Sequence, residues 1–382
     1  MFEILRNFKV GRPQVVAGLM LLAFLAQCLW AAKMRKISPL EYQYIFSGLA
    51  PAQKLDAPAV SLDSPFTSFV AALPLRAVGL LRKIGPASWN SYLAVPHPWI
   101  MRLPFVIFGL WLGGALWWVA RRLFDNEGGY VALGLYCTSP AMIKVSSNIG
   151  PEIILAWSVL GLIYTAIGVA HTLYAPPKKW APRIAILGLS IGFALATSWW
   201  TFPLVLLALG YMLHLAPDCR GKVAVVLASA LVLGCAVWLT IAGITGSAGM
   251  GLKDMFSPPP TFAALRQLAF ALSATTDGYV LVFLFIAALT AYGSWQRARY
   301  FGNTAPLVTA LVCVLVFALV PATHLWDATL ALSFVFIFIG GVAADLLETR
   351  YRIEFALILV AGFLVRIVLT VPELRKWIEN LM

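Results

Sequence analysis

Runs of about 20 apolar residues recur along the whole chain, and no other feature limits its fold so tightly. They lie near residues 15–32, 104–120, 128–146, 152–172, 184–215, 223–245, 278–294, 306–321, 328–346 and 354–371. A segment of that length matches the hydrocarbon thickness of a bilayer when it is helical. Helices can cross because they satisfy their own backbone hydrogen bonds. Only 12% of the 382 residues are charged, half the ~25% of a soluble domain. The expected architecture is therefore an all-α polytopic membrane protein, a single integral membrane domain over 1–382. The run 184–215 is long enough for two short spans turning near Trp199-Trp200-Thr201-Phe202-Pro203, which brings the count to about eleven.

Basic residues orient the spans. Arg6, Lys9 and Arg12 precede the first run, and Lys33-Met34-Arg35 follow it in place of a small-residue cleavage site. The first run reads as a transmembrane helix with a cytoplasmic N-terminus, not a signal peptide. Arg121-Arg122, Arg183, Arg220, Lys222, Arg297, Arg299, Arg350 and Arg352 then mark cytoplasmic turns. Two external loops result, at 33–102 and 246–277. The first contains a segment, Phe66 to Lys83, that reads as an interfacial helix interrupted at Pro74. The expected location is a bacterial inner membrane.

The net charge of +12 is accounted for by Lys and Arg at span ends meeting anionic headgroups. No basic-aromatic platform of the kind that binds single strands stands out, so nucleic acid is not an expected partner. The five cysteines form no CxxC pair and the four histidines are scattered, which argues against a disulfide frame and a dedicated transition-metal site. Inverted repeats and charges deep within spans are not evident, which argues against a transporter.

The polar residues concentrate outside the spans on one side. Glu41 lies just beyond the first span, where a carboxylate can take a proton from an attacking hydroxyl, help hold a divalent cation, or simply be solvated. Asp56 and Asp63 are further candidates. Arg102 enters the second span, where its planar fork suits a phosphate or anchors the interface. Glu152 opens a span, where it favours the positive helix end or faces a site. His324 and Asp327 sit in a turn between two late spans, suited to a headgroup or a helix cap.

In their order, these landmarks resemble the GT-C membrane glycosyltransferases of the protein O-mannosyltransferase and aminoarabinose-transferase type. The family's Pro-Asp-Glu-x-x-Tyr corresponds to Pro39-Leu40-Glu41-Tyr42-Gln43-Tyr44, and its His/Lys-Pro-Pro-Leu to Ser64-Pro65-Phe66. Its Arg-Leu-Pro is Arg102-Leu103-Pro104, followed by Arg121-Arg122-Leu123-Phe124-Asp125, then Ser139-Pro140 and Pro151-Glu152. The match covers residues 13–215, with a fainter echo at Thr323–Gly341. The resemblance implies transfer of a sugar from a polyprenyl-phosphate donor on the outer face. It implies Glu41 as base or metal-assisted orienter, Arg102 against the leaving phosphate, and Tyr44, Asp63, Glu152 and His324 around the substrate. The family's catalytic Asp falls on Leu40, its Lys-Gly-Pro on Thr201-Phe202-Pro203, and no external domain follows the last span. The resemblance is therefore also compatible with a degenerate member serving as a scaffold among other membrane subunits.

Overall fold

The computed structural model describes residues 11–49, 64–84, 97–174, 180–245, 278–294, 300–319 and 329–379. Among these residues all regular structure is helical. The helices are α1 (Arg12–Met34), α2 (Pro39–Leu49), α3 (Pro65–Ile84), α4 (Pro98–Cys137), α5 (Pro140–Ser146), α6 (Pro151–Thr172) and α7 (Ala181–Thr197). They continue as α8 (Phe202–Leu215), α9 (Arg220–Thr245), α10 (Gly278–Ser294), α11 (Tyr300–Leu319), α12 (Thr329–Leu347) and α13 (Arg352–Glu379). Six are long and apolar enough to cross a membrane, counting α4 once, and five shorter apolar helices accompany them. That tally by length and composition leaves the expected eleven spans an expectation.

Burial orders the bundle. Helices α6 and α12 are buried nearly all round and form its centre. Helix α1 buries one stripe, Ala17, Phe24, Cys28 and Ala31, against α4. Its opposite face, with Val15, Leu19 and Leu22, is exposed, as suits a helix facing lipid. This is an integral membrane protein.

Helix α4 is a hairpin. Phe124 leaves helical geometry and Asp125 takes φ 63°, so the axis reverses there. Gly129 then packs so close to Arg121 that a Cβ would touch its backbone. The Tyr136 hydroxyl, on the returning arm, donates to the Gly109 carbonyl at 2.7 Å. The returning arm ends earlier than the expected 128–146. Ser139 caps a separate short helix, α5, by accepting from the Met142 amide, with Pro140 in the first helical position.

Helices α2 and α3 belong to the expected first loop. They pack on each other, and α3 also packs on α4, α7 and α9. Pro74 lies inside α3, which continues through it. Arg76 donates to the Gly48 carbonyl and lies 5.3 Å from the Phe69 ring centre. At Gly48 a Cβ would collide with the Ser68 carbonyl. Gly48→Val is therefore expected to cost about 1–3 kcal/mol by overpacking. The check is thermal unfolding in detergent, with Gly79→Val as control, since Gly79 has open space at its Cβ.

Candidate functional site

The site is built on the turn between α1 and α2. Helix α1 stops at Arg35, whose backbone is extended (φ −96°, ψ 140°). Its last carbonyls would be orphaned there. Arg102, fully buried in the second turn of α4's first arm, supplies donors there. Its Nη1 donates to the Ala32 and Arg35 carbonyls at 2.8 and 2.9 Å, and Nη2 to the Lys36 carbonyl at 2.7 Å. The same guanidinium grips Glu41 with two parallel bonds, Nε to Oε1 and Nη2 to Oε2, both 2.8 Å. All five guanidinium N–H groups are thereby used.

Glu41 is equally engaged. Besides Arg102, its Oε2 accepts from the Ser38 amide at 2.7 Å and Oε1 from the Ile149 amide at 3.1 Å. The Ser38 hydroxyl in turn accepts from the Glu41 amide at 3.2 Å. Ser38-Pro39-Leu40-Glu41 is thus a reciprocal capping box that starts α2. Four donors fill the carboxylate's lone-pair directions. Burial raises the Glu41 pKa, but the hydrogen bonds and charge of Arg102 and the two amides outweigh it, leaving it below the ordinary glutamate value. Burial and Arg102 also lower the neighbouring Arg35, to about 10 against the pull of Glu41, and Arg35 remains charged at neutral pH.

A lowered carboxyl pKa links folding to pH. The stabilisation from Glu41 is complete above its ordinary unfolded value of about 4.3. It is lost as pH falls from there through the lower folded value. The apparent melting temperature should therefore drop on acidification below that value, and Glu41→Gln should flatten this part of the profile.

The other expected site residues fall in different places. Tyr44, one turn beyond Glu41, is buried towards the core. Leu40 is half-buried and packs against the core. Glu152 lies half-buried in the first turn of α6, three residues after the Ile149 amide that holds Glu41. Asp56, Asp63, His324 and Asp327 lie outside the described residues. Glu41, Arg102, Tyr44 and Glu152 therefore share one end of the bundle, where α1, α2, α4 and the α5–α6 turn meet. Among the described residues, no three His, Cys, Asp or Glu side chains come together to hold a metal ion. The Ser38-x-x-Glu41 spacing was a visible signal for the capping box. The partner on Ile149 has none, since a backbone amide 108 residues away leaves no trace in sequence.

Comparison with known proteins assigns this arrangement of helices. The family model described as dolichyl-phosphate-mannose-protein mannosyltransferase matches residues 91–241. The crystal structure of ArnT from Cupriavidus metallidurans bound to undecaprenyl phosphate superposes with a TM-score of 0.60 at 14% identity, over 88% of this chain. The protein has the GT-C fold. Apo ArnT from the same organism gives a TM-score of 0.57 at 12% identity, covering 95% of this chain and 74% of ArnT. In the lipid-bound structure this GT-C chain spans 61% of ArnT's length. No curated protein sequence matches it. These relations give the fold, and over residues 91–241 a likeness to the mannosyltransferase family model.

Proposed function

We propose that the protein transfers a sugar from a polyprenyl-phosphate donor at the membrane face that carries α2 and α3. Glu41 and Arg102 build the site without reacting in it. The observation that carries this reading is the saturated Glu41–Arg102 node. It fixes the start of α2 to the ends of α1, α4 and the α5–α6 turn, in the place where the resemblance puts the chemistry. A carboxylate with every lone pair occupied is poorly disposed to take a substrate proton. The donor class is supported by the name of the matched family and by the undecaprenyl phosphate held in ArnT. Asp63, Glu152 and His324 remain the candidates for contact with the donor, and a divalent cation can join them.

One observation favours a second reading, a scaffold subunit that has lost catalysis. Leu40 occupies the position where the resemblance calls for the working acid, and it packs against the core. The purified chain, reconstituted alone in liposomes with a radiolabelled polyprenyl-phosphate sugar and membrane acceptors, separates the two. Release of free polyprenyl phosphate with labelled acceptor supports the transferase. No release, together with a membrane subunit that co-purifies, supports the scaffold. In the transferase case, Glu41→Gln assayed below its own unfolding temperature should keep turnover within about tenfold of wild type. A fall of roughly 10²–10⁴-fold would make Glu41 the base after all.

A further inference from the structure

At the end of the bundle opposite the node, α7 and α9 meet the last turn of α6. Helix α6 starts beside the node at Pro151 and ends at Thr172, ~33 Å away at 1.5 Å per residue. Its terminal carbonyls are held by side chains from the start of α7 and the start of α9. Arg183 Nη1 donates to the Gly168 carbonyl at 3.0 Å, Trp180 Nε1 to that of Thr172 at 3.1 Å, and Lys222 Nζ to that of Leu173 at 3.5 Å. Lys222 Nζ also lies 5.9 Å from the Trp180 ring centre. We propose that Arg183 and Lys222, beside the Trp180 indole, form a site for the headgroup of an anionic phospholipid.

Both cations stand where a lipid headgroup lies. They are exposed, and each is followed on its own helix by an apolar residue that faces outward. Ile186, three residues after Arg183, is 53% exposed, and Val225, three after Lys222, is 64% exposed. Residues three apart share one face of a helix. Lys222 lies in the first turn of α9, a helix apolar and long enough to cross the bilayer. It therefore marks the edge of the hydrocarbon, the level at which indoles such as Trp180 collect. Close packing fixes the spacing of the two cations. A Cβ on Gly188 of α7 would lie 3.0 Å from the Ala230 carbonyl oxygen on α9, and one on Gly192 would lie 2.9 Å from that of Gly234. On α6, nothing lies within 4 Å of a Cβ at Gly168, which leaves open space beside Arg183.

Charge selects the occupant. The carboxyl end of a helix is equivalent to about −0.5 charge. Arg183 and Lys222 bring two positive charges to it, while Arg220 and Asp218 at the entrance of α9 offset each other. The surplus is about +1.5, more than capping α6 requires. A headgroup of net negative charge complements that surplus, whereas a zwitterionic one brings its own cation. A guanidinium carries five N–H donors and an ammonium three. Each side chain spends one on its α6 carbonyl, so phosphate oxygens can be held without releasing the helix end.

The test is native mass spectrometry of the full chain in mild detergent with equal amounts of phosphatidylglycerol and phosphatidylethanolamine. The wild type is expected to retain phosphatidylglycerol in preference. Arg183→Gln and Lys222→Gln should each lower that preference about fivefold, the factor for the ~1 kcal/mol that one basic residue contributes at an anionic membrane surface. Arg352→Gln removes an exposed cation at the start of α13 and should leave the preference unchanged. Equal retention of the two lipids by the wild type, an unchanged preference in both niche variants, or an equal loss in Arg352→Gln would each overturn the proposal. A structure of the wild type in phosphatidylglycerol nanodiscs answers without any variant. Phosphate density within reach of Arg183 and Lys222 is the expected result, and its absence from the niche would refute the site.

Discussion

Arg102→Met should cost the folded protein about 3–5 kcal/mol, because it leaves the Glu41 carboxylate buried without its cation. Methionine fills similar space, so the loss reports the charge and the donors, not the volume. Three carbonyls, those of Ala32, Arg35 and Lys36, lose their donor at the same time. The measurement is the apparent melting temperature in detergent, beside Arg122→Met as control for removal of a cation that lies against an aromatic ring. A variant that melts with the wild type would show that the node is not structural.

The double variant Glu41→Leu/Arg102→Met sharpens the point. Replacing an isolated buried ion pair with apolar residues is often neutral or stabilising. This pair is not isolated. It also satisfies three carbonyls and the amides of Ser38 and Ile149, and a buried polar group left without a partner costs ~1–3 kcal/mol. The double variant should therefore melt above Arg102→Met, since the uncompensated charge is gone, and still below wild type. The order of the three proteins separates the charge from the backbone groups it serves.

The fold was legible in sequence because a bilayer imposes one length on every span. The run at 15–32 became α1, and the turn predicted at Trp199–Pro203 separates α7 from α8. Boundaries inside the hydrocarbon were harder. The expected span 128–146 is cut at Thr138 because Ser139 and Pro140 start a new helix, and a lipid-compatible composition does not reveal that cap. Of the Glu41–Arg102 node, the members were legible and the geometry was not. Glu41 and Arg102 stand out individually, yet nothing in their spacing of 61 residues says that they face each other. Tyr44 drew attention through its motif alone, and its burial came from α2 packing into the bundle. Arg366 is a charge inside the expected last span, 354–371, where no deep charge is expected, and its sequence neighbours do not reveal its partners.

Arg366→Leu should loosen that last helix. Helix α13 exposes most of its apolar side chains, and in lipid such a surface has no hydrophobic reason to stay on the bundle. Beside the buried Leu374 and Ile378 near its end, it has a polar attachment in mid-helix. Arg366, 2% exposed, donates from Nη2 to the Leu135 carbonyl at 3.0 Å and from Nε to that of Thr138 at 3.4 Å. It lies 5.6 Å from the Phe336 ring centre on α12. It caps the end of α4 as Arg102 caps the end of α1, placing a cation at the negative helix terminus. With leucine the Thr138 carbonyl keeps the Thr370 hydroxyl at 2.9 Å, but Leu135 loses the donor, at a cost of ~1–3 kcal/mol. Thr370, Leu374 and Ile378 still hold the helix, so the loss should appear locally and not as global unfolding. Amide exchange across α13 should rise by about 5–150-fold, the factor corresponding to that energy. Exchange in α6 should stay at the wild-type rate, and a uniform rise across both helices would mean that Arg366 serves global stability instead of docking α13.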